Sequence, residues 1–187
     1  MRRVLTTLFA AFLVAVLPAF GQFKAWMAGG WELEVGMAGS VYDSYYSEID
    51  SEGQTSLPTL SIRSGYKFPG TFVGVFLDVF GHYAGRDLTG GPSLLREREA
   101  ILHVLPEIRF YYLDEPDCRL YATVGAGVRY RQFAETFEGD TIANRDFRFS
   151  YEISPFGVSF NDSWFFSLEV GYGTPWTIAK VGCGYRF

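Results

Sequence analysis

The sequence predicts an all-β fold, an eight-stranded antiparallel up-and-down transmembrane β-barrel. Eight segments alternate apolar and polar residues with period 2, the repeat of a strand with one face in each of two environments. Aromatics make up 18% of the chain and glycines number 21, yet no stretch after residue 21 is apolar for long enough to be a membrane helix. That combination suits a barrel wall, because each strand shows lipid only its alternate residues. Tight and long connections also alternate along the chain, as they do when strands run up and down between two sides of a membrane.

A leader precedes the strands. Met1-Arg2-Arg3 is basic, Val4 to Leu17 is apolar apart from Thr6 and Thr7, and Pro18-Ala19-Phe20-Gly21 supplies small residues before Gln22. This layout predicts a secretory signal peptide over residues 1–21, cleaved after Gly21, and a barrel domain over residues 22–187. Its roughly 14 apolar residues fall short of the ~20 that a spanning helix needs. No cysteine follows the run, which argues against a lipid-anchored N-terminus. Removing Arg2 and Arg3 from 16 basic residues leaves 14 against 21 acidic ones, a charge near −7. So acidic a chain excludes nucleic acid as a partner, since phosphate binding needs clustered Lys and Arg. Cys118 and Cys183 fall on non-neighbouring predicted strands and are read as free thiols.

The first predicted strand runs from Trp31 to Tyr42, with Trp31, Leu33, Val35, Met37 and Val41 on one face and Glu32, Glu34 and Ser40 on the other. The second, Thr59 to Phe68, turns Leu60, Ile62, Tyr66 and Phe68 outward and Arg63 and Lys67 inward. Pro69-Gly70 is a turn signal. The third continues to Tyr83 with Val73, Val75, Leu77 and Val79 outward against Asp78 and His82. The fourth, Glu99 to Leu113, sets Leu102, Val104, Ile108, Phe110 and Tyr112 against His103, Glu107 and Arg109.

Asp114-Glu-Pro-Asp117 breaks the pattern. The fifth strand, Leu120 to Phe133, then alternates Leu120, Ala122, Val124, Ala126, Val128 and Tyr130 with Thr123, Gly125, Gly127, Arg129 and Arg131. The sixth, Phe147 to Phe160, shows Phe147, Phe149, Tyr151 and Ile153 outward and Arg148, Ser150, Glu152 and Ser154 inward, with Pro155 and Gly157 marking a bulge. After Asn161-Asp162 the seventh has Trp164, Phe166, Leu168, Val170 and Tyr172 outward and Ser167, Glu169 and Gly171 inward. The eighth closes the chain, with Ala179, Val181, Cys183, Tyr185 and Phe187 on one face and Lys180, Gly182, Gly184 and Arg186 on the other.

Three connections are tight: Pro69-Gly70, Asp114 to Cys118, and Asn161-Asp162. Asp43 to Pro58, Gly85 to Arg98, and Ala134 to Asp146 read as long polar loops on the opposite side, and the connection at Thr174-Pro175 is short. Aromatics gather at both predicted ends, Trp31, Phe68, Phe72, Phe110, Tyr112, Trp164, Tyr185 and Phe187 at one and Tyr42, Tyr83, Tyr130, Phe147, Tyr172 and Trp176 at the other. Paired girdles match two headgroup zones. A soluble lipocalin-like barrel would invert the faces, and the leader and the girdles speak against it.

The terminal Lys180-Val-Gly-Cys-Gly-Tyr-Arg-Phe187 resembles the C-terminal assembly signal of bacterial outer-membrane barrels, with Gly182, Tyr185 and Phe187 as its elements. The stretches Leu105-Pro-Glu-Ile-Arg-Phe-Tyr-Tyr-Leu113, Leu120-Tyr-Ala-Thr-Val-Gly-Ala-Gly-Val-Arg-Tyr130, Ser154-Pro-Phe-Gly-Val158 and Leu168-Glu-Val-Gly-Tyr-Gly173 resemble the small OmpA/OmpX-like family of outer-membrane β-barrel domains. The resemblance covers nearly the whole mature chain and rests on structural motifs, none of them catalytic. It implies an outer-membrane location in a Gram-negative bacterium with both termini periplasmic, insertion by the barrel-assembly machinery, and contact with outer-membrane lipid and lipopolysaccharide. It implies roles in envelope integrity, adhesion or evasion of host defences. No peptidoglycan-binding domain is expected after the barrel.

The inward positions give an expected interior ion network of Glu32, Arg63, Asp78, Glu107, Arg109, Arg129, Glu152, Glu169, Lys180 and Arg186, with Glu34, Lys67, Arg131 and Arg148 on the same faces. An eight-stranded barrel is just wide enough for side chains to fill, so these charges are expected to plug it. Counting back from Thr174-Pro175 sets Glu169 opposite Lys180, and closure brings Arg186 near Glu32. His82 and His103 would face inward near the outer mouth. With Asp87 or Glu99 they are candidate zinc ligands, and with Ser93 a candidate lipid-acting pair; the plainer reading is two hydrogen-bonded lumen residues. Asp43, Glu48, Asp50 and Glu52 make an acidic first loop, a candidate contact for an extracellular ligand, and its spacing lacks an EF-hand's pattern. Gly125-Ala-Gly127 lies within a strand and is no phosphate loop, since no helix follows it. The expected function is structural or interactive, without cofactor or catalysis. A narrow solute channel is the alternative and a lipid-modifying enzyme the third reading.

Overall fold

The computed structural model describes residues 29–39, 54–56, 58–89, 94–137, 140–175 and 177–187. Among them are nine strands: β1 (Gly30–Ala38), β2 (Gln54–Ser56), β3 (Thr59–Lys67), β4 (Val73–Thr89), β5 (Leu94–Asp114), β6 (Cys118–Phe137), β7 (Asp140–Phe160), β8 (Trp164–Gly173) and β9 (Thr177–Arg186). Eight of them close a barrel in the order β1-β3-β4-β5-β6-β7-β8-β9, with β9 returning to β1 and every pairing antiparallel. The short β2 pairs with β4 above Gly81.

Closure is staggered. From Val35 the ladder runs through Ile62, Val79, Val104 and Val128 to Phe149 on β7. In the other direction it runs through Cys183 and Phe166 to Phe160, also on β7. The two arrivals, residues 149 and 160, are eleven positions apart, and a sheet closes with such a stagger only when its strands tilt.

The faces are inside out relative to a soluble protein. Val35, Ile62 and Val128 are 50%, 58% and 53% exposed, whereas Arg63 and Arg109 are 1% and 0% exposed. A surface this apolar, continuous around the wall, is solvated by hydrocarbon and not by water. Rings pack on one another at both borders. Trp31 meets Tyr66 at 5.5 Å, and Trp164 meets Tyr185 at 5.1 Å, at the end that carries the termini. Tyr130 meets Phe147 at 5.0 Å and Tyr151 meets Tyr172 at 6.1 Å at the other. Tyr42 and Trp176 lie outside the described residues.

Two of the expected long loops are instead strand. β1, β3, β8 and β9 have 9 or 10 residues, near the ~9–11 that cross a bilayer. β4 to β7 have 17, 21, 20 and 21. They stay paired with one another to Thr89–Leu94 and Phe137–Asp140, well past the last β3 and β8 partners at Gly81 and Glu152. Most of Gly85–Arg98 and Ala134–Asp146 therefore forms a four-stranded sheet standing above the rim. On its β7 edge, residues 141–145 are exposed on both faces, and the apolar alternation that marks the wall is missing there. Gln54–Ser56 of the expected first loop is β2, and its acidic part, with Asp43, Glu48, Asp50 and Glu52, lies outside the described residues.

The tight turns sit at the end that holds Gly30 and Phe187. Gly70 takes φ 67°, open to glycine without steric cost. The register slips between Ile153 and Phe156, where Pro155 cannot donate to the ladder, and again between Tyr111 and Leu113. Large inward rings lie over glycines of neighbouring strands. A methyl group at Gly65, Gly157 or Gly184 would overlap the ring of Phe76, Tyr121 or Phe165.

Candidate functional site

The lumen holds the chain's dense chemistry. Arg63 is its hub: Nε lies 2.8 Å from Glu107 Oε2 and 3.0 Å from Asp78 Oδ2, Nη1 3.3 Å from Glu34 Oε2, and Nη2 3.5 Å from Glu152 Oε1. Nη1 also donates to Glu169. Lys180 Nζ reaches Asp78 at 3.0 Å and Glu152 and Glu169 at 3.5 Å. Arg109 bridges Glu169 at 3.1 Å, Glu32 at 3.4 Å and Glu34 at 3.5 Å. Its guanidinium also stacks 3.9 Å from the Tyr121 ring. Nearer the termini, Arg119 and Arg186 hold Glu32 at 2.7 and 3.0 Å, and Asp114 takes Lys67 at 2.6 Å and Arg119 at 3.0 Å.

Every wall strand contributes a charge, so the network ties the barrel together across its axis. Among the described residues it joins seven buried carboxylates, Glu32, Glu34, Asp78, Glu107, Asp114, Glu152 and Glu169, to six buried cations, Arg63, Lys67, Arg109, Arg119, Lys180 and Arg186. An apolar layer closes it at one end. Ala38, Phe80 and Leu105 pack together on the side of the tall sheet. Tyr111, Tyr121, Phe165 and Phe76 are buried among the charges and toward the termini. Arg63, Asp78, Glu107, Glu152 and Glu169 are all buried. The space left at the terminal end is a cleft of about 210 Å³ lined by Trp31, Glu32, Lys67, Arg119, Arg186 and Phe187.

The register sets Glu169 opposite Lys180 and Arg186 opposite Glu32. Arg129 sits apart from this cluster, half-buried and opposite His103 on the far side of the Phe80 layer. Arg131 is only partly buried there and pairs with Glu99. Arg148, expected inward, is a surface residue paired with Asp146 at 2.8 Å, because its part of β7 has already left the barrel. Asp114 and Arg119 were not expected in the network. The slip at Tyr111–Leu113 reverses the parity of β5 and turns Asp114 inward, whereas Arg119 follows the inward parity of Thr123 and Gly125 and was readable. Gly182 lies beside Glu34 and Ser167, where a methyl group would overlap both, and the rings of Tyr185 and Phe187 meet edge to face at 4.9 Å.

His82 and His103 are both buried near the tall-sheet mouth. His103 Nδ1 lies 2.8 Å from Ser150 Oγ, which is hydrogen-bonded in turn to Thr174 Oγ1. Both members of this pair are buried on the lumen side. Ser93 and the side chain of Asp87 lie outside the described residues, and Glu99 serves Arg131. Among the described residues the group with ligand atoms close enough for a metal is Asp78, Glu107 and Glu152, without either histidine.

No family model matches the chain, and no curated protein matches it in sequence. Among solved structures it is similar to Ail, the attachment invasion locus protein of Yersinia pestis, in complex with the heparin analogue sucrose octasulfate. The two are 15% identical with a TM-score of 0.51, over 85% of this chain and 97% of Ail. The fold is that of a small outer-membrane β-barrel. A second structure of Ail, also 15% identical over 85% and 97% of the two chains, gives a TM-score of 0.43. The N-terminal β-barrel domain of Pseudomonas aeruginosa OprF, 15% identical over 86% of this chain and all of that domain, gives 0.36.

Proposed function

We propose that this chain is an outer-membrane protein of a Gram-negative bacterium, a sealed barrel that anchors an adhesive surface outside the cell. The observation that carries this reading is the sheet formed by β4 to β7 above the rim. Residues 140–150 of β7 have no partner strand on their outer edge among the described residues. An unpaired edge of that length presents backbone N–H and C=O groups that an extended peptide can complete as an added strand. Ail supports the reading by its attachment name and its bound heparin analogue. The termini are periplasmic in this reading, so the sheet faces outward. The apolar belt is solvated by lipid and lipopolysaccharide, and Gly182, Tyr185 and Phe187 serve the assembly machinery.

A channel needs a continuous wet path, and the buried network and its apolar layer occupy the lumen. Purified protein is expected to give no steady conductance in planar bilayers. The adhesive reading is tested by deleting residues 133–144 and joining Gln132 to Arg145, which are opposite in the register, through a two-residue turn. Cells carrying the shortened protein should display as much heat-modifiable barrel as wild type and lose binding to host cells and immobilised matrix proteins. Unchanged binding would overturn the proposal.

A further inference from the structure

Seven buried carboxylates against six buried cations leave the network one negative charge in excess, and its centre around Arg63 is closed to water. The excess has a location. One carboxylate oxygen each from Asp78, Glu107 and Glu152 lie within 4.8 Å of one another. Asp78 Oδ1, Glu107 Oε1 and Glu152 Oε2 have no hydrogen-bond donor, although the three residues are 0%, 2% and 0% exposed. Around them β3 presents Arg63, β9 Lys180, β8 Glu169 and β1 Glu34, while β6 presents the uncharged Gly125, where a methyl group would press on Glu107. Converging carboxylates do not all ionise when Arg63 and Lys180, with Arg109 beside Glu34 and Glu169, are shared among five of them.

We propose that Asp78, Glu107 and Glu152 form a proton-binding site, one proton being shared among their facing oxygens while the other carboxylates of the network stay ionised. The proton comes from solvent as the barrel closes and supplies the missing donor. A divalent cation is the competing occupant, since oxygens so spaced could ligate an ion at calcium's ~2.3–2.6 Å. Arg63 Nε and Lys180 Nζ already stand 3.0 Å from Asp78 Oδ2, the other oxygen of one of these carboxylates, and would repel it. A divalent ion would also leave the network at one positive charge, and the proton leaves it neutral.

Two measurements test this. Unfolded carboxylates are ionised at neutral pH, so folding should take up one proton here. The folding equilibrium constant in urea should then fall tenfold for each unit of rising pH. Histidines also titrate near neutrality, so the comparison is with Glu107→Gln, whose amide supplies the donor permanently. Wild type should bind one proton more than the variant on folding, and the variant should hold its stability as the pH rises. Equal proton uptake would overturn the site. Infrared spectroscopy needs no refolding: folded wild type should show the carbonyl band of a protonated carboxylic acid, absent from Glu107→Gln. No such band in wild type, or one divalent cation per barrel that the variant lacks, would also overturn it.

Discussion

Replacing Glu169 by alanine should loosen the barrel far more than a surface change. Its carboxylate is fully buried and meets Arg63, Arg109 and Lys180, and it accepts a hydrogen bond from Tyr121 Oη at 3.2 Å. Alanine leaves three buried cations without their common partner, and breaking such a pair from one side costs about 3–5 kcal/mol. The lost tyrosine bond belongs to the same network and does not simply add. For a chain of this size about 2–4 °C accompanies each kcal/mol, so the thermal midpoint should fall by roughly 6–20 °C. The assay is the heat-dependent mobility shift of the detergent-folded protein on gels, with Glu115→Ala as control. Glu115 is exposed in the turn after β5, and such a site changes stability by about 0.5 kcal/mol or less. A Glu169→Ala midpoint indistinguishable from that of the control would refute the idea that the network holds the wall together.

Three further outcomes are expected. Phe187 is 74% exposed and hydrogen-bonds β1 through its backbone N–H, at 2.9 Å from Trp31 O; Phe187→Ser should therefore leave the refolded barrel nearly as heat-stable as wild type yet sharply lower its amount in the outer membrane, measured by cell fractionation. A methyl group at Gly127 would overlap the Val104 carbonyl, whereas at Gly81 it meets nothing within 4 Å; Gly127→Ala should lose most of its folded fraction on gels and Gly81→Ala almost none. An epitope at Gly53 should be labelled on intact cells and one at Pro116 only after permeabilisation, and the reverse pattern would invert the topology.

The faces of the wall strands were legible because lipid and lumen impose opposite polarity on adjacent residues, as Ile62 and Arg63 illustrate. The upper halves of β4 to β7 were not, since Arg98, Ala134 and Asn144 stand in a sheet beyond the wall and carry no apolar period. The grouping of charges around Arg63 was hidden for another reason. Its long side chain crosses the barrel axis to reach Glu169 and Glu152 on strands that are not its neighbours, and pairwise register cannot express that. Asp114 was hidden by a slip in register that no residue type announced. The inward rings of Phe76 and Phe80 were within reach, sharing the even-numbered face of Asp78 and His82.

The central claim is that one rung of the wall, Val35, Ile62, Val79, Val104 and Val128, faces hydrocarbon while the charges beside it face a dry lumen. Spin labels placed singly at these five positions, in a protein whose Cys118 and Cys183 are replaced by serine, measure it directly in lipid vesicles. All five labels should collide readily with dissolved oxygen and hardly at all with a water-soluble nickel complex. If the nickel complex reaches them as it reaches a label at Glu115, the barrel is solvated by water and the account is wrong.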